Sequence, residues 1–526
     1  MPQKDNLAET VSRNSFYTIL FNIWYLGSRL VLTPMILAYV TIEEYGLWSY
    51  CFVVLSYLAL TAFGFNNTYI RYAADYRARD ENEKLNELLS TGLITMLLLS
   101  VVLFAIFWSS IPWLLIVLGI DPDLHNVARG LMLGTAAIFV LNFSVAGFQS
   151  ILEGDQKIAL VRKIHFVASV VEIALIVILF KNGFGVFSLM WAYSARFLIV
   201  IILCVFFSFR VFPFLRISVS RVRVDALKKF FGFGNQMNLL GFLSLIINSA
   251  DRIFLTRMLH LEAVGYYEIG RKLPNIGLML PSSIAGTMMP AASHLSGSSQ
   301  QKRLKRVYLT STHYLMIVSS IPYAFLIVFA PQIISVWLGE GYSQAVLVLR
   351  VLAVGTFINL FTGIGTAFVR GIGKPRYEIQ YMLVSVTLIL VLLPILITKV
   401  GIVGAAIAFS IGQSVGSIYF LFLANRLFET SWPVFLGKVM PPVVLIFAAT
   451  VPVYLAFNLW WFLGDSSRWA GLGVLGFTFV LFAVIAFFLL AVLQNWLFSV
   501  DERKRIASIP FPYFFGNIWK KLWRIA

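Results

Sequence analysis

Long unbroken apolar stretches dominate the chain and are separated by short polar segments. Fourteen can be drawn: 16–40, 46–66, 88–108, 130–152, 164–180, 186–207, 230–254, 265–291, 307–329, 346–369, 377–397, 402–423, 439–459 and 470–498. A helix needs about 20 apolar residues to cross ~30 Å of hydrocarbon. Transmembrane strands would instead alternate over about 10 residues. The pattern predicts an all-α, polytopic membrane protein of about 14 transmembrane helices. The stretch 164–180 is the weakest of them, being short and carrying Glu172.

Basic residues orient these spans. With the N-terminus inside, the inner segments carry 30 Lys and Arg and the outer segments carry five: Arg129, Lys181, Arg257, Lys399 and Arg468. Cytoplasmic loops are the ones enriched in Lys and Arg. Both termini are therefore expected in the cytoplasm, because an odd number of spans would scramble the bias.

Composition supports the same class. The chain has 526 residues, 59% of them hydrophobic and only 12% charged, against about 25% charged in soluble domains. That excludes a soluble enzyme, a secreted protein and a disordered chain. The net charge of +17 lies where anionic headgroups would meet it, so it does not call for nucleic acid. Cys51 and Cys204 lie inside apolar stretches and read as small buried hydrophobes, not as a disulfide or a metal site. The first stretch lacks a small-residue cleavage site and reads as a retained helix.

An internal repeat is visible at a fixed offset. Glu43 and Gly46 match Glu262 and Gly265; Gly154 matches Gly373; Gly185 matches Gly404, each 219 residues apart. Two pseudo-symmetric six-helix lobes of the same orientation follow, with a substrate site expected between them. The expected organisation is an N-lobe over 1–208, a basic cytoplasmic linker over 209–229 and a C-lobe over 230–428. A helix pair over 429–499 and an amphipathic cytoplasmic tail over 500–526 complete it.

Six Lys and Arg remain inside spans: Arg29, Arg196, Arg252, Arg271, Lys272 and Arg350. A charge at the bilayer centre costs at least ~2.5–3.5 kcal/mol, so it faces a partner or a wet cavity. Arg29 lies deepest and is the strongest candidate for binding an anion. Arg271 and Lys272 lie near Glu268, Pro274 and Asn275. They serve either the same cavity or a Glu268–Lys272 pair at i,i+4. Asp251 and Arg252 sit late in the seventh span. For Arg252, Arg350 and Arg196, snorkelling or pairing is the simpler reading. Glu172, Asp251 and Glu268 are candidates for ion coupling or helix pairing, Glu172 with Arg196 in particular. His165 and His313, near cytoplasmic ends, read as interfacial.

No P-loop, HExxH or GxSxG occurs. No loop exceeds roughly thirty residues, too few to hold a nucleotide-binding domain. The expectation is a transporter and not an enzyme, with no metal and no cofactor. Its energy comes from a gradient, with H+ and Na+ as the candidate coupling ions.

The order of EEYGLWSY after the first span, FGFNNTYIRY closing the second, LEGDQK after the fourth and RGIGKPR after the tenth resembles the Wzx-type polysaccharide-unit flippases. These belong to the multidrug/oligosaccharidyl-lipid/polysaccharide superfamily, and the resemblance covers about residues 10–430. It implies a V-shaped alternating-access transporter in a bacterial inner membrane. The implied substrate is an oligosaccharide joined through pyrophosphate to undecaprenol, moved to the periplasmic leaflet for surface polysaccharide synthesis. The implied partners are that lipid-linked substrate, membrane lipids, and a polysaccharide polymerase with its chain-length machinery. Cationic cavity residues on the first, second, seventh and eighth spans are implied too, and Arg29, Arg252, Arg271 and Lys272 fit that description. A lipid II flippase, a drug/sodium antiporter and a membrane-embedded polymerase or ligase stay as alternatives.

Overall fold

A computed structural model describes residues 2–58, 65–232, 235–297, 301–463, 468–500 and 502–503. All secondary structure among the described residues is helical. In lipid no water is at hand for unpaired backbone groups, and a helix satisfies them within one segment. The first ten helices are α1 (Pro2–Leu37), α2 (Ile42–Leu58), α3 (Phe65–Ala78), α4 (Asn82–Val117), α5 (His125–Ser144), α6 (Ala146–Gly154), α7 (Ile158–Lys181), α8 (Phe187–Val211), α9 (Val224–Gly232) and α10 (Asn235–Leu259). They continue with α11 (Leu261–Gly277), α12 (Met279–Gly297), α13 (Gln301–Val328), α14 (Ala330–Leu338), α15 (Ser343–Leu360), α16 (Gly363–Gly371), α17 (Arg376–Val400), α18 (Ile402–Leu427), α19 (Trp432–Leu463), α20 (Arg468–Val492) and α21 (Gln494–Leu497).

Among the described residues, twelve helical segments are long and apolar enough to cross a membrane. The two expected spans that do not reach that length are the second and the eighth. The second runs into residues outside the described set after Leu58. The eighth breaks between Gly277 and Met279, where Pro281 has no N–H for the Gly277 carbonyl and its ring crowds that carbonyl. Of the tail expected over 500–526, all but residues 500, 502 and 503 lies outside the described residues.

The 219-residue offset returns in the helix bounds. The helices α2 and α11 begin at positions that differ by that number. The repeat-related glycines also meet. A Cβ on Gly46 would lie 2.2 Å from the Leu261 carbonyl oxygen, and one on Gly265 would lie 2.3 Å from that of Ile42. Ile42 and Leu261 are themselves repeat partners, so the crossing is reciprocal, as at a two-fold axis. Glycine is required there because any side chain would strike backbone.

By compactness the chain divides into Met1–Gly265 and Tyr266–Ala526. This is a division by packing, because α10 lies against α2. The repeat boundary read at 209–229 is a division by sequence symmetry, which packing does not test. Within the first unit the linker is held along one polar stripe of α4. Asn86 donates to the Phe214 carbonyl at 3.2 Å and accepts from the Arg216 amide at 3.0 Å. Ser90 and Thr91 accept from the amides of Ser218 and Arg223 at 3.3 and 3.0 Å. Glu83 pairs with Arg221, and Glu87 with Arg223 at 3.4 Å. Positions 83, 86, 87, 90 and 91 share one helical face. They supply the partners that an extended backbone lacks.

In the second unit α19 and α20 pack on α13 and α14 through Phe325, Phe329, Phe457 and Phe482. Lys438 reaches both oxygens of Glu502 at 2.7 and 2.6 Å. Burial pushes the Glu502 carboxyl up, but Lys438 and Ser499 outweigh it and hold it below the usual carboxylate range. His313 is fully buried, and its Nδ1 donates to the Lys438 carbonyl at 2.7 Å. Cys51 and Cys204 are free and buried.

Candidate functional site

The charges left in the spans assemble from a seam of ordinary apolar packing. Ile164, Ala168, Val200 and Cys204 form one buried cluster between α7 and α8. They recur at i,i+4, and the two helices run antiparallel, so 164 faces 204 and 168 faces 200. One turn further the same seam places Glu172 opposite Arg196. The expected pair forms there, with Arg196 Nη1 3.5 Å from Glu172 Oε2.

A third helix completes the site. The helix α1 runs parallel to α7, fixed at one end by Asn14. Its side chain donates to the Gln156 carbonyl and accepts from the Ala159 amide, both at 2.9 Å. At the other end Tyr39 stacks on Phe180 at 5.0 Å. Between them Trp24 donates to Ser169 at 3.3 Å. This register carries Arg29 to Glu172, with Nη2 2.5 Å from the same Oε2. Tyr25 presents its ring to both guanidinium groups, 4.8 Å from Arg29 and 5.0 Å from Arg196. Rings and guanidinium groups attract at such distances.

Two guanidinium groups thus share one carboxylate that is 4% exposed, while the Arg29 side chain keeps 23% of its surface open. The Nε atoms of both arginines are buried and have no hydrogen-bond acceptor. The cluster carries a net positive charge and unspent donors within the apolar part of three spans. In low dielectric such a charge acts far more strongly than in water. Fork-shaped donors match phosphate and carboxylate oxygens in pairs.

The other candidates lie on α10, α11 and α15. Asp251 is fully buried on α10, accepts from the Arg252 amide at 2.8 Å and lies 3.6 Å from Arg252 Nε. The Arg252 guanidinium also donates to the Asn248 carbonyl, so local pairing describes it. Arg271 is 4% exposed, with its guanidinium 5.2 Å from the Phe409 ring. Lys272 and Glu268 are half-buried on the same helix, α11. Arg29 and Arg252 belong to the first compact unit, and Glu268, Arg271 and Lys272 to the second. Arg350 donates to the carbonyls of Ile327 and Val328 at 3.1 and 3.4 Å. It closes the open end of α13, where helix carbonyls lack partners.

Sequence reasoning left Arg196 outside the candidate site. The signal that could have placed it was the i,i+4 seam running on from Cys204 and Val200. The repeat also shows that the cluster belongs to one half alone. The starts of α7 and α17 differ by 218 residues and those of α8 and α18 by 215, so Glu172 and Arg196 correspond to positions near 390 and 411, and neither 389–391 nor 411–415 carries a charge.

The family described as "Polysaccharide biosynthesis protein" matches residues 37–347. A "Putative O-antigen transporter" of Shigella flexneri is 23% identical over 393 residues, covering 73% of this chain and 90% of that protein. A "Probable low-salt glycan biosynthesis flippase Agl15" of Haloferax volcanii is 27% identical over 166 residues, 32% of this chain and 34% of that protein. Among solved structures, an inward-facing multidrug resistance MATE family transporter of the MOP superfamily superposes with a TM-score of 0.64 at 18% identity. The match covers 79% of this chain and 94% of that one. The lipid II flippase MurJ in an inward closed conformation superposes at 0.63 and 17% identity, over 90% and 98%. At these identities the structural likeness establishes the fold, that of a multi-pass membrane protein.

Proposed function

The chain belongs to the polysaccharide biosynthesis protein family, and on that premise we propose that it is a flippase for oligosaccharide units linked through pyrophosphate to undecaprenol. It carries them from the cytoplasmic to the periplasmic leaflet of a bacterial inner membrane. The observation that carries this reading is the cationic cluster of Arg29 and Arg196 around one buried carboxylate. A lipid pyrophosphate brings a strong negative charge into the span region, and the guanidinium group of Arg29, the more open of the two, offsets it. The names borne by the O-antigen and glycan relatives point to the same class of cargo. A sugar chain needs a wet path, because its hydroxyls would lose their hydrogen bonds in hydrocarbon. Two repeats alternating in access supply one. Transport then draws on an ion gradient, and the protein makes or breaks no covalent bond.

The likeness to MurJ over 90% of this chain favours lipid II as the second reading. A deletion strain separates the two. Under the first, cells survive, lose a surface polymer and accumulate lipid-linked units on the cytoplasmic face. Loss of viability with peptidoglycan precursor accumulating selects lipid II. Units that reach the periplasmic face and stay unpolymerised contradict both, and assign the protein to a later step.

A further inference from the structure

Glu172 is already occupied by Arg29 in this structure, at 2.5 Å. An anion that is to be bound by Arg29 must therefore take the guanidinium away from the carboxylate. A carboxylate that is 4% exposed cannot be left bare, because breaking a buried pair by removing one partner is strongly unfavourable. The structure holds a replacement. Arg196 Nη1 stands 3.5 Å from the same oxygen, Oε2, just beyond an ordinary charge-assisted bond. Both guanidinium groups lie near the Tyr25 ring.

Resting on the reading of Arg29 as an anion-binding residue, we infer that Glu172 is the internal ligand that occupies Arg29 in the absence of substrate, and that Arg196 is a positioning residue that takes the carboxylate over when Arg29 turns to the substrate's phosphate. The arrangement makes binding an exchange of ion pairs, with no orphaned charge at either stage. It also explains why two arginines serve one buried carboxylate. A merely structural pair needs one, and the corresponding stretches of the other repeat, 389–391 and 411–415, carry no charge.

The inference is tested by a double-mutant cycle on the full-length protein in lipid nanodiscs, with undecaprenyl pyrophosphate as the probe. Arg196→Met removes the replacement partner and fixes Arg29 on Glu172. Binding is expected to weaken by roughly tenfold or more, although Arg29 is intact. Glu172→Gln removes the competing charge, and this variant is expected to bind at least as tightly as wild type. Arg196→Met combined with Glu172→Gln is expected to return to within about threefold of wild type, since no carboxylate then competes. Wild-type binding by Arg196→Met, or a double variant as weak as that single one, overturns the inference. If Arg196→Met fails to fold, Glu172→Gln decides alone, and weaker binding by it overturns the inference. A wild type that does not bind the probe, or that binds it no better than Arg29→Ala, overturns the underlying reading of Arg29 instead.

Discussion

Arg29→Ala is expected to abolish export of lipid-linked units while leaving the protein inserted at near wild-type levels. The variant removes the most accessible donor of the cluster but not the partner of the buried carboxylate, because Arg196 still faces Glu172. Cluster charge falls from net positive to neutral, so the attraction for pyrophosphate goes with it. Hydrogen bonds to charged groups contribute about 1.5–3 kcal/mol each, which corresponds to roughly a tenfold to hundredfold loss of affinity. Arg29→Lys should recover part of it, because an ammonium keeps the charge but cannot present two parallel donors. Protein level, surface polymer and binding of undecaprenyl pyrophosphate are the three readouts. Normal polymer in the Ala variant would remove Arg29 from the site.

The second large effect concerns the glycine crossing. Gly46→Ala and Gly265→Ala each place a methyl 2.2–2.3 Å from a backbone oxygen of the facing helix. Neither oxygen can move without its helix, so the cost is that of overpacking, about 1–3 kcal/mol per site. Because the two contacts are reciprocal, the single variants should lower the thermal unfolding midpoint by similar amounts. The double variant should lose less than the sum, since one separation of α2 from α11 relieves both clashes. Strict additivity would mean that the two glycines do not share a contact.

The same crossing shows how far the sequence can be read. Glu43, Gly46, Glu262 and Gly265 disclosed the repeat because a constant offset survives in one dimension. The coincident starts of α2 and α11 follow from it. The spans were legible for a similar reason, as lipid demands unbroken apolar runs. Where a run is interrupted by the fold itself, as at Leu278, composition still reads as one span while the helix breaks. The Glu172–Arg196 pair was legible because the two residues sit on neighbouring spans. The contact of Arg29 with Glu172 was not, since it depends on the parallel register that Asn14, Trp24 and Tyr39 impose on α1 and α7. The strapped linker was hidden for another reason. Asn86, Ser90 and Thr91 bind backbone atoms, and a backbone contact leaves no trace in side-chain charge or hydropathy.

The most direct measurement is leaflet exchange in sealed proteoliposomes holding the purified full-length chain. A fluorescent undecaprenyl-pyrophosphate oligosaccharide serves as cargo, and a membrane-impermeant quencher reports the outer leaflet. The predicted result is exchange well above protein-free vesicles that is lost with Arg29→Ala. Exchange no faster than in protein-free vesicles, or equal in wild type and Arg29→Ala, would contradict a flippase working through this cluster.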